Sequence, residues 1–322
     1  MKTRKIKKAL ITGITGQSGS YLSEILLDNG YEVHGIIRRI SHPNTDNLVN
    51  IYDRITLHHG DMTDGISLNN IISTVMPDEI YNLAGMSQVR VSYDTPTSTF
   101  DINTLGLLRI IESVRRINID IKIYQACSSE MFGKVQEMPQ TEKTPFYPRS
   151  PYGVSKASAY YMAKTYREGY GMKIYTGILF NHESPRRGKE FLSKKVCRGV
   201  ADIFNGKLDI LTLGNLEAKR DFGYAKEYMY WVHKMVQHDT PDDFVIATGE
   251  THSIREFVSE AFKIVGIHDW ENYVSFDKRL LRAAEVDVLQ GDYSKSKEVL
   301  GYEPKVRFKE LVKIMMEYEL NN

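Results

Sequence analysis

The feature that most restricts the fold lies near the amino terminus. An apolar run over residues 8–12 gives way to Gly13, Gly16 and Gly19, with Gln17 between the last two. Residues 20–27 then read as an amphipathic helix stopped by Asn29 and Gly30. A strand, a glycine loop and a helix in that order let the backbone turn tightly, approach a pyrophosphate and set its charge against a helix N-terminus. The spacing is GxxGxxG rather than GxGxxG, a weak pattern alone that gains force from following a strand.

Beyond this unit, apolar strand-like runs at 32–37, 55–58, 79–83, 122–126 and 173–179 alternate with helical patterns at 67–75, 97–116 and 152–170. Such alternation predicts βαβ units, hence an α/β, Rossmann-type doubly wound parallel sheet. After Leu179 the character changes to charged loops and short elements, and residues 244–249 read as a later strand returning to the first sheet. The expected division is interleaved. A dinucleotide-binding domain takes residues 1–180 and about 219–250, and a smaller mixed α/β substrate-binding domain takes about 181–218 and 251–322. At 322 residues the chain is long enough for both.

The end of the second strand distinguishes the two common dinucleotides. An acidic residue there suits the ribose hydroxyls of NAD, whereas this strand runs into Arg38 and Arg39, two guanidiniums suited to a 2′-phosphate. The lesser alternative is a pair of exposed loop charges. Lys and Arg number 42 against 41 Asp and Glu, so no global field favours nucleic acid or an anionic membrane, and any anion site is local. Two cysteines, Cys127 and Cys197, make no disulfide framework, and no apolar run is long enough to span a bilayer. The expected location is the cytoplasm, and no metal ligand set is expected.

Chemistry concentrates in two segments. Ser128 and Glu130 follow a strand, and Tyr152 and Lys156 stand four apart at the start of a helix, so phenol and ammonium reach one ligand. The cation is expected to lower the phenol's pKa and make Tyr152 a base, with the Ser128 hydroxyl holding the same substrate oxygen. Glu130 adds a second acid–base group, able to take a carbon-bound proton and deliver one to a leaving hydroxyl. The alternatives are a strand closed by small residues and a glutamate favoured by a helix dipole. Arg186, Arg187, Arg220 and Arg282 suit a diphosphate or serve as surface charges.

The segments 13–21, 33–39, 146–153, 177–188, 213–221 and 285–292 resemble the GDP-mannose 4,6-dehydratase family of extended short-chain dehydrogenase/reductases, across essentially the whole chain. The stretches at 181–185 and 215–221 are the most specific to that branch. The resemblance implies conversion of GDP-mannose to GDP-4-keto-6-deoxymannose, a deoxyhexose precursor, through C4 oxidation, water elimination across C5 and C6, and hydride return to C6. NADP would serve as the retained cofactor. It implies catalytic roles for Ser128, Glu130, Tyr152 and Lys156. Cofactor contacts fall on Gly13, Gly16, Gln17, Gly19, Arg38, Asp61, Met62, Leu83, Ala84, Gly85, Ser87, Tyr152, Lys156, His182 and Arg187. Substrate contacts fall on Ser87, Ser128, Glu130, Tyr152, Asn181, Arg187, Arg220, Arg282 and Glu285. A homodimer or homotetramer is implied, with the Arg38 loop crossing to a neighbour.

The sequence departs from the family pattern at Ser128, usually threonine, at Ser18, usually aspartate, at Phe222, usually tryptophan, and around Met86 and Gln88. Serine retains the hydroxyl. Met86 and Gln88 lie on a turn that could face the sugar, so another GDP-sugar, such as a GDP-heptose, is the alternative substrate. A nucleotide-sugar 4-epimerase is a second alternative, which needs Tyr152 and Lys156 but not Glu130.

Overall fold

A computed structural model describes residues 6–41, 44–281 and 283–322. Apolar runs such as Ala9, Leu10 and Ile11, all without exposed surface, are stable only with both faces covered, as in a parallel sheet flanked by helices. The strands are β1 (Lys8–Thr12), β2 (Glu32–Ile37), β3 (Ile55–His59), β4 (Glu79–Asn82), β5 (Lys122–Ser128), β6 (Ile174–Leu179), β7 (Asn181–Glu183), β8 (Leu211–Leu213), β9 (Lys219–Arg220), β10 (Phe222–Tyr224), β11 (Asp243–Ile246), β12 (His252–Ser253) and β13 (Val274–Phe276). Seven of them form one sheet in the order β11-β6-β5-β4-β1-β2-β3, every pair parallel. The order reverses between β1 and β4, which opens a crevice at their carboxyl ends.

The helices are α1 (Gln17–Asp28), α2 (Gly65–Val75), α3 (Val89–Asp94), α4 (Pro96–Phe100), α5 (Gly106–Ile117), α6 (Pro151–Tyr170), α7 (Leu192–Phe204), α8 (Ala225–Gln237), α9 (Ile254–Ile264), α10 (Ser294–Leu300) and α11 (Phe308–Leu320). Side-chain alternation along the strands splits the core in two. Ile11, Tyr81, Tyr124 and Tyr175 pack with Leu22 of α1 and Val232 of α8. Leu10, Ile80, Ile123 and Ile174 pack on the other face with Leu68 of α2, Ile110 of α5 and Ala159 of α6.

The single helix expected over 97–116 is two helices joined by a π-helical turn, Asp101–Leu105. The wider turn carries Asn103 inward, where its amide accepts from the Met86 N–H at 2.9 Å and donates to the Met86 carbonyl at 3.1 Å and Ser155 Oγ at 2.9 Å.

A separate apolar cluster joins α7, α9 and α11 through Val196, Phe257, Phe308 and Met315. Short pairings connect this region to the sheet, β7 with β10 in parallel and β9 with β12 antiparallel. Asp221, between β9 and β10, is fully buried and accepts from Thr248 N and Oγ1, Gly249 N and Gly291 N at 2.8, 2.7, 2.9 and 3.3 Å. Four donors on one carboxylate hold three chain segments together.

Candidate active site

The α6 helix begins with Ser150, whose side chain accepts from the Gly153 N–H at 3.0 Å, and Pro151 occupies its first position. It ends at Gly171 in the left-handed region (φ 67°). This fixes Tyr152 and Lys156 one turn apart, both buried. The Lys156 ammonium donates to the Ala126 carbonyl of β5 at 2.9 Å and lies 5.9 Å from the Tyr152 ring centroid. At the end of β5, Ser128 Oγ accepts from the Glu130 N–H at 3.2 Å, which turns the chain and buries Glu130 beside the phenol.

Ser128, Glu130, Tyr152 and Lys156 line one cavity of about 720 Å³ together with the glycine loop and the Leu83–Gly85 turn. The expected lowering of the Tyr152 pKa by Lys156 is not what this site produces. Burial pushes the phenol up to about 12 and the neighbouring Glu130 charge adds to that, while a hydrogen bond from Ser128 and the charge of Arg187 pull it down. Lys156 turns its ammonium to a carbonyl instead, and burial lowers its own pKa.

The glycine loop is built for close approach. Gly13 has φ 68°, and a Cβ there would sit 2.8 Å from the Ala84 nitrogen; one on Gly19 would lie 2.3 Å from the Gly13 carbonyl oxygen. Gly16 caps α1 without a side-chain bond, leaving the first N–H groups of the helix facing the cavity. Thr12 Oγ1 donates to Asn82 at 2.7 Å and accepts from the Leu83 and Ala84 N–H groups at 3.1 and 3.0 Å, which fixes the opposite wall. The donors and the tight glycines fit a dinucleotide diphosphate, and Arg38 lines the same cavity. Asp61 also lines this end; burial opposes its charge, but two bonds from Thr63 and the charges of Arg38 and Arg109 hold its carboxyl below the usual range.

His182 sits where the glycine loop meets β7. Its Nδ1 lies 2.9 Å from the Phe180 carbonyl and so carries the hydrogen, and Nε2 accepts from Ser18 Oγ at 3.1 Å. Burial, and then the Arg187 charge, push its pKa down to about 4, so the ring is neutral. The Gln17 side chain is likewise engaged within the protein, donating to the His182 carbonyl at 2.9 Å and accepting from Ser184 Oγ at 2.7 Å.

Met62, Ser87, Asn181 and Arg187 line the same cavity, so most of the anticipated residues converge. Arg220 and Glu285 are not among its lining residues. Arg220 is buried, donates to the Lys219 and Val286 carbonyls and stands 4.0 Å from Glu130, bracing that carboxylate from behind. Arg282 lies outside the described residues. Arg186 also lines the cavity, with its guanidinium held by Glu24 at 2.5 Å and over the Tyr21 ring at 4.1 Å. Sequence reasoning missed Thr12, Asn103, Ser155 and Glu183, each a polar residue inside or bordering an apolar element. That placement, costly unless the group is bonded, was the available signal.

Among the described residues no helix is long and apolar enough to cross a membrane, and no group of His, Cys, Asp and Glu could hold a metal ion.

The family model described as GDP-mannose 4,6 dehydratase matches residues 10–315. The chain is 49% identical to GDP-mannose 4,6 dehydratase 1 of Arabidopsis thaliana over 332 residues, covering 99% of this chain and 91% of that protein. It is 48% identical to the Homo sapiens GDP-mannose 4,6 dehydratase, covering 96% and 90% of the two chains. The structure of DesIV, a dTDP-glucose 4,6-dehydratase from Streptomyces venezuelae with NAD and TYD bound, superposes with a TM-score of 0.88 at 22% identity over 98% of this chain and 97% of that one, a likeness of fold.

Proposed function

The chain belongs to the GDP-mannose 4,6-dehydratase family, and we propose that it converts GDP-mannose to GDP-4-keto-6-deoxymannose with a retained nicotinamide cofactor. The observation that carries this reading is Glu130, a buried carboxylate in the same cavity as Ser128, Tyr152 and Lys156, because oxidation alone has no use for it. The cofactor, when bound, supplies a reversible two-electron store that takes a hydride from sugar C4 and returns it at C6.

Tyr152 takes the proton of the C4 hydroxyl while Ser128 holds that oxygen. The resulting ketone makes the C5 hydrogen acidic. Glu130 removes that proton and passes it to the departing C6 hydroxyl, which leaves as water, and the proton taken by Tyr152 is returned to C5 once C6 has its hydrogen, so both residues end in their starting states. The Arg220 guanidinium stands 4.0 Å behind Glu130. Gly13, Gly16 and Gly19 bring backbone donors to the diphosphate, and Arg38, where the end of β2 carries no acidic residue, favours NADP over NAD.

The proposed division of labour puts the dinucleotide on residues 1–180 and about 219–250, and the nucleotide sugar on about 181–218 and 251–322. A homodimer or homotetramer in the cytoplasm is proposed on the family likeness. Glu130→Gln tests the reading: it should bind NADP as the wild type does and lose dehydration by roughly 10²–10⁴-fold. Product formation at the wild-type rate in this variant would remove Glu130 from the mechanism.

A further inference from the structure

Strand β7 is only three residues long, and its side chains serve two different neighbours. His182 faces the start of α1 through Ser18, and the His182 carbonyl accepts from Gln17. Glu183 faces the start of α7, where Ser193 Oγ donates to its carboxylate at 2.5 Å. The same carboxylate oxygen lies 3.0 Å from Nε of Arg187, in the turn closed by the Arg187 N–H on the Ser184 carbonyl. Glu183 is 3% exposed, so its charge has left water and depends on these two partners.

The guanidinium is held on a second side as well. Its carbon sits 3.8 Å from the Phe191 ring centroid, and Phe191 is the residue from which α7 starts. The Nε contact is off the N–H axis, so it acts as an ion pair and not as an aligned hydrogen bond. Arg187 also lines the cavity that holds Tyr152. The groups that face the phenol include Glu130 from the turn after β5, Cys127 from β5 itself, Arg187, and Lys156 at 5.9 Å from the ring centroid, with Ser128 as hydrogen-bond partner. Lys156, on the helix of Tyr152, spends its ammonium on Ala126. Arg187 is thus a cation whose charge favours the phenolate in addition to Lys156, 5.9 Å from the ring, and its position is set by residues that do not themselves line the cavity, Glu183 and Ser193.

We propose that Glu183 is a positioning residue: by anchoring Arg187 through Nε against Phe191, it fixes the guanidinium in the cavity beside Tyr152, and through Ser193 it ties that placement to α7. The inference rests on the dehydratase reading with Tyr152 as base. Opening or closing of the α7 side would then move the active-site cation as well as the cavity wall. A buried carboxylate that merely stabilised the fold would lack this dependence.

The test compares wild type, Glu183→Gln, Ser193→Ala, Arg187→Met and the Glu183→Gln/Arg187→Met double variant. Two measurements are made on each: the pH profile of kcat/KM for GDP-mannose, and the NADP dissociation constant by calorimetry. In Glu183→Gln the limb set by Tyr152 should move to higher pH by about one unit, with turnover at neutral pH down about tenfold. Ser193→Ala, which keeps the carboxylate and guards against misfolding of the first variant, should move it the same way by less. Arg187→Met should move it at least as far as Glu183→Gln, and the double variant should add nothing further. An unmoved limb would overturn the proposal, as would a shift to lower pH, which removing a negative charge alone would give. If the wild type leaves GDP-mannose unchanged, the dehydratase reading fails separately. The NADP affinities then decide: equal weakening in Glu183→Gln and Arg187→Met supports the positioning role, and unchanged affinity in Glu183→Gln ends it.

Discussion

Burial holds the Tyr152 phenol up at about 12, with Ser128 and Arg187 working against it. At neutral pH the residue is therefore protonated in the ligand-free site, and it becomes a base only when positive charge and a substrate hydroxyl arrive together. Turnover should rise with pH across the range in which Tyr152 ionises in the loaded enzyme. Tyr152→Phe removes the base and keeps the ring that fills the wall, so it should lower turnover by about 10³-fold with NADP affinity changed only a few-fold, measured by steady-state kinetics and calorimetry. The tetrad was legible in the sequence because its spacing is local. The electrostatics were not, because burial outweighs the charges around the phenol, Lys156 Nζ bonds Ala126, and a further cation comes from a turn thirty-one positions beyond it, at Arg187.

The glycine loop and α1 form the element that the ligand site depends on most. A Cβ at Gly19 would meet the Gly13 oxygen at 2.3 Å and the Ile14 Cα at 2.6 Å, both backbone atoms that cannot swing aside. Gly19→Ala should cost about 2–4 kcal/mol in thermal unfolding and weaken NADP binding. Gly169, in the last turn of α6, has nothing within 4 Å of its added Cβ, and Gly169→Ala should instead gain about 0.5–1 kcal/mol. The same physics explains what could be read in advance. β1, β4, β5 and β6 are fully buried or nearly so and stand out as apolar runs, and α6 carries its own cap and stop. The pairings of β7 with β10 and β9 with β12 involve two or three residues each and are set by tertiary contacts, so no periodicity announces them. The π-helical turn at 101–105 was equally silent, since Asn103 is called inward by Met86 and Ser155 rather than by its neighbours in sequence.

At the scale of the whole molecule, a half-buried group and a fully buried one give stability opposite dependences on pH. His182 has its pKa pushed down to about 4 from an ordinary 6.5, so the unfolded chain binds its proton first, and stability falls as pH drops from 6.5 towards 4, by up to about 3 kcal/mol. Asp221 has its pKa pushed up by burial to about 6 from an ordinary 3.8, in spite of its hydrogen bonds to Thr248, Gly249 and Gly291. The folded chain therefore binds that proton first, and stability falls as pH rises from about 4 to 6, by about 3 kcal/mol. The two contributions largely offset one another between pH 4.5 and 6. Asp221→Asn should lower the melting temperature at every pH and leave the His182 slope uncovered, so that the variant gains more stability with rising pH between 4.5 and 6 than the wild type does. Parallel curves for the two proteins would show that Asp221 does not titrate in this range.

That Asp221 lies between Arg220, which braces Glu130, and the strand pairings that join the sheet to the α7, α9 and α11 cluster makes the fold a frame for one carboxylate beside one phenol. The central claim is that this pair removes water from a GDP-sugar without net redox change. It is tested most directly by mass spectrometry of GDP-mannose incubated with the purified protein and catalytic NADP, with NADPH followed by absorbance. The account predicts a product lighter by one water and no accumulating NADPH; a product of unchanged mass, or NADPH formed in step with sugar consumed, would contradict it.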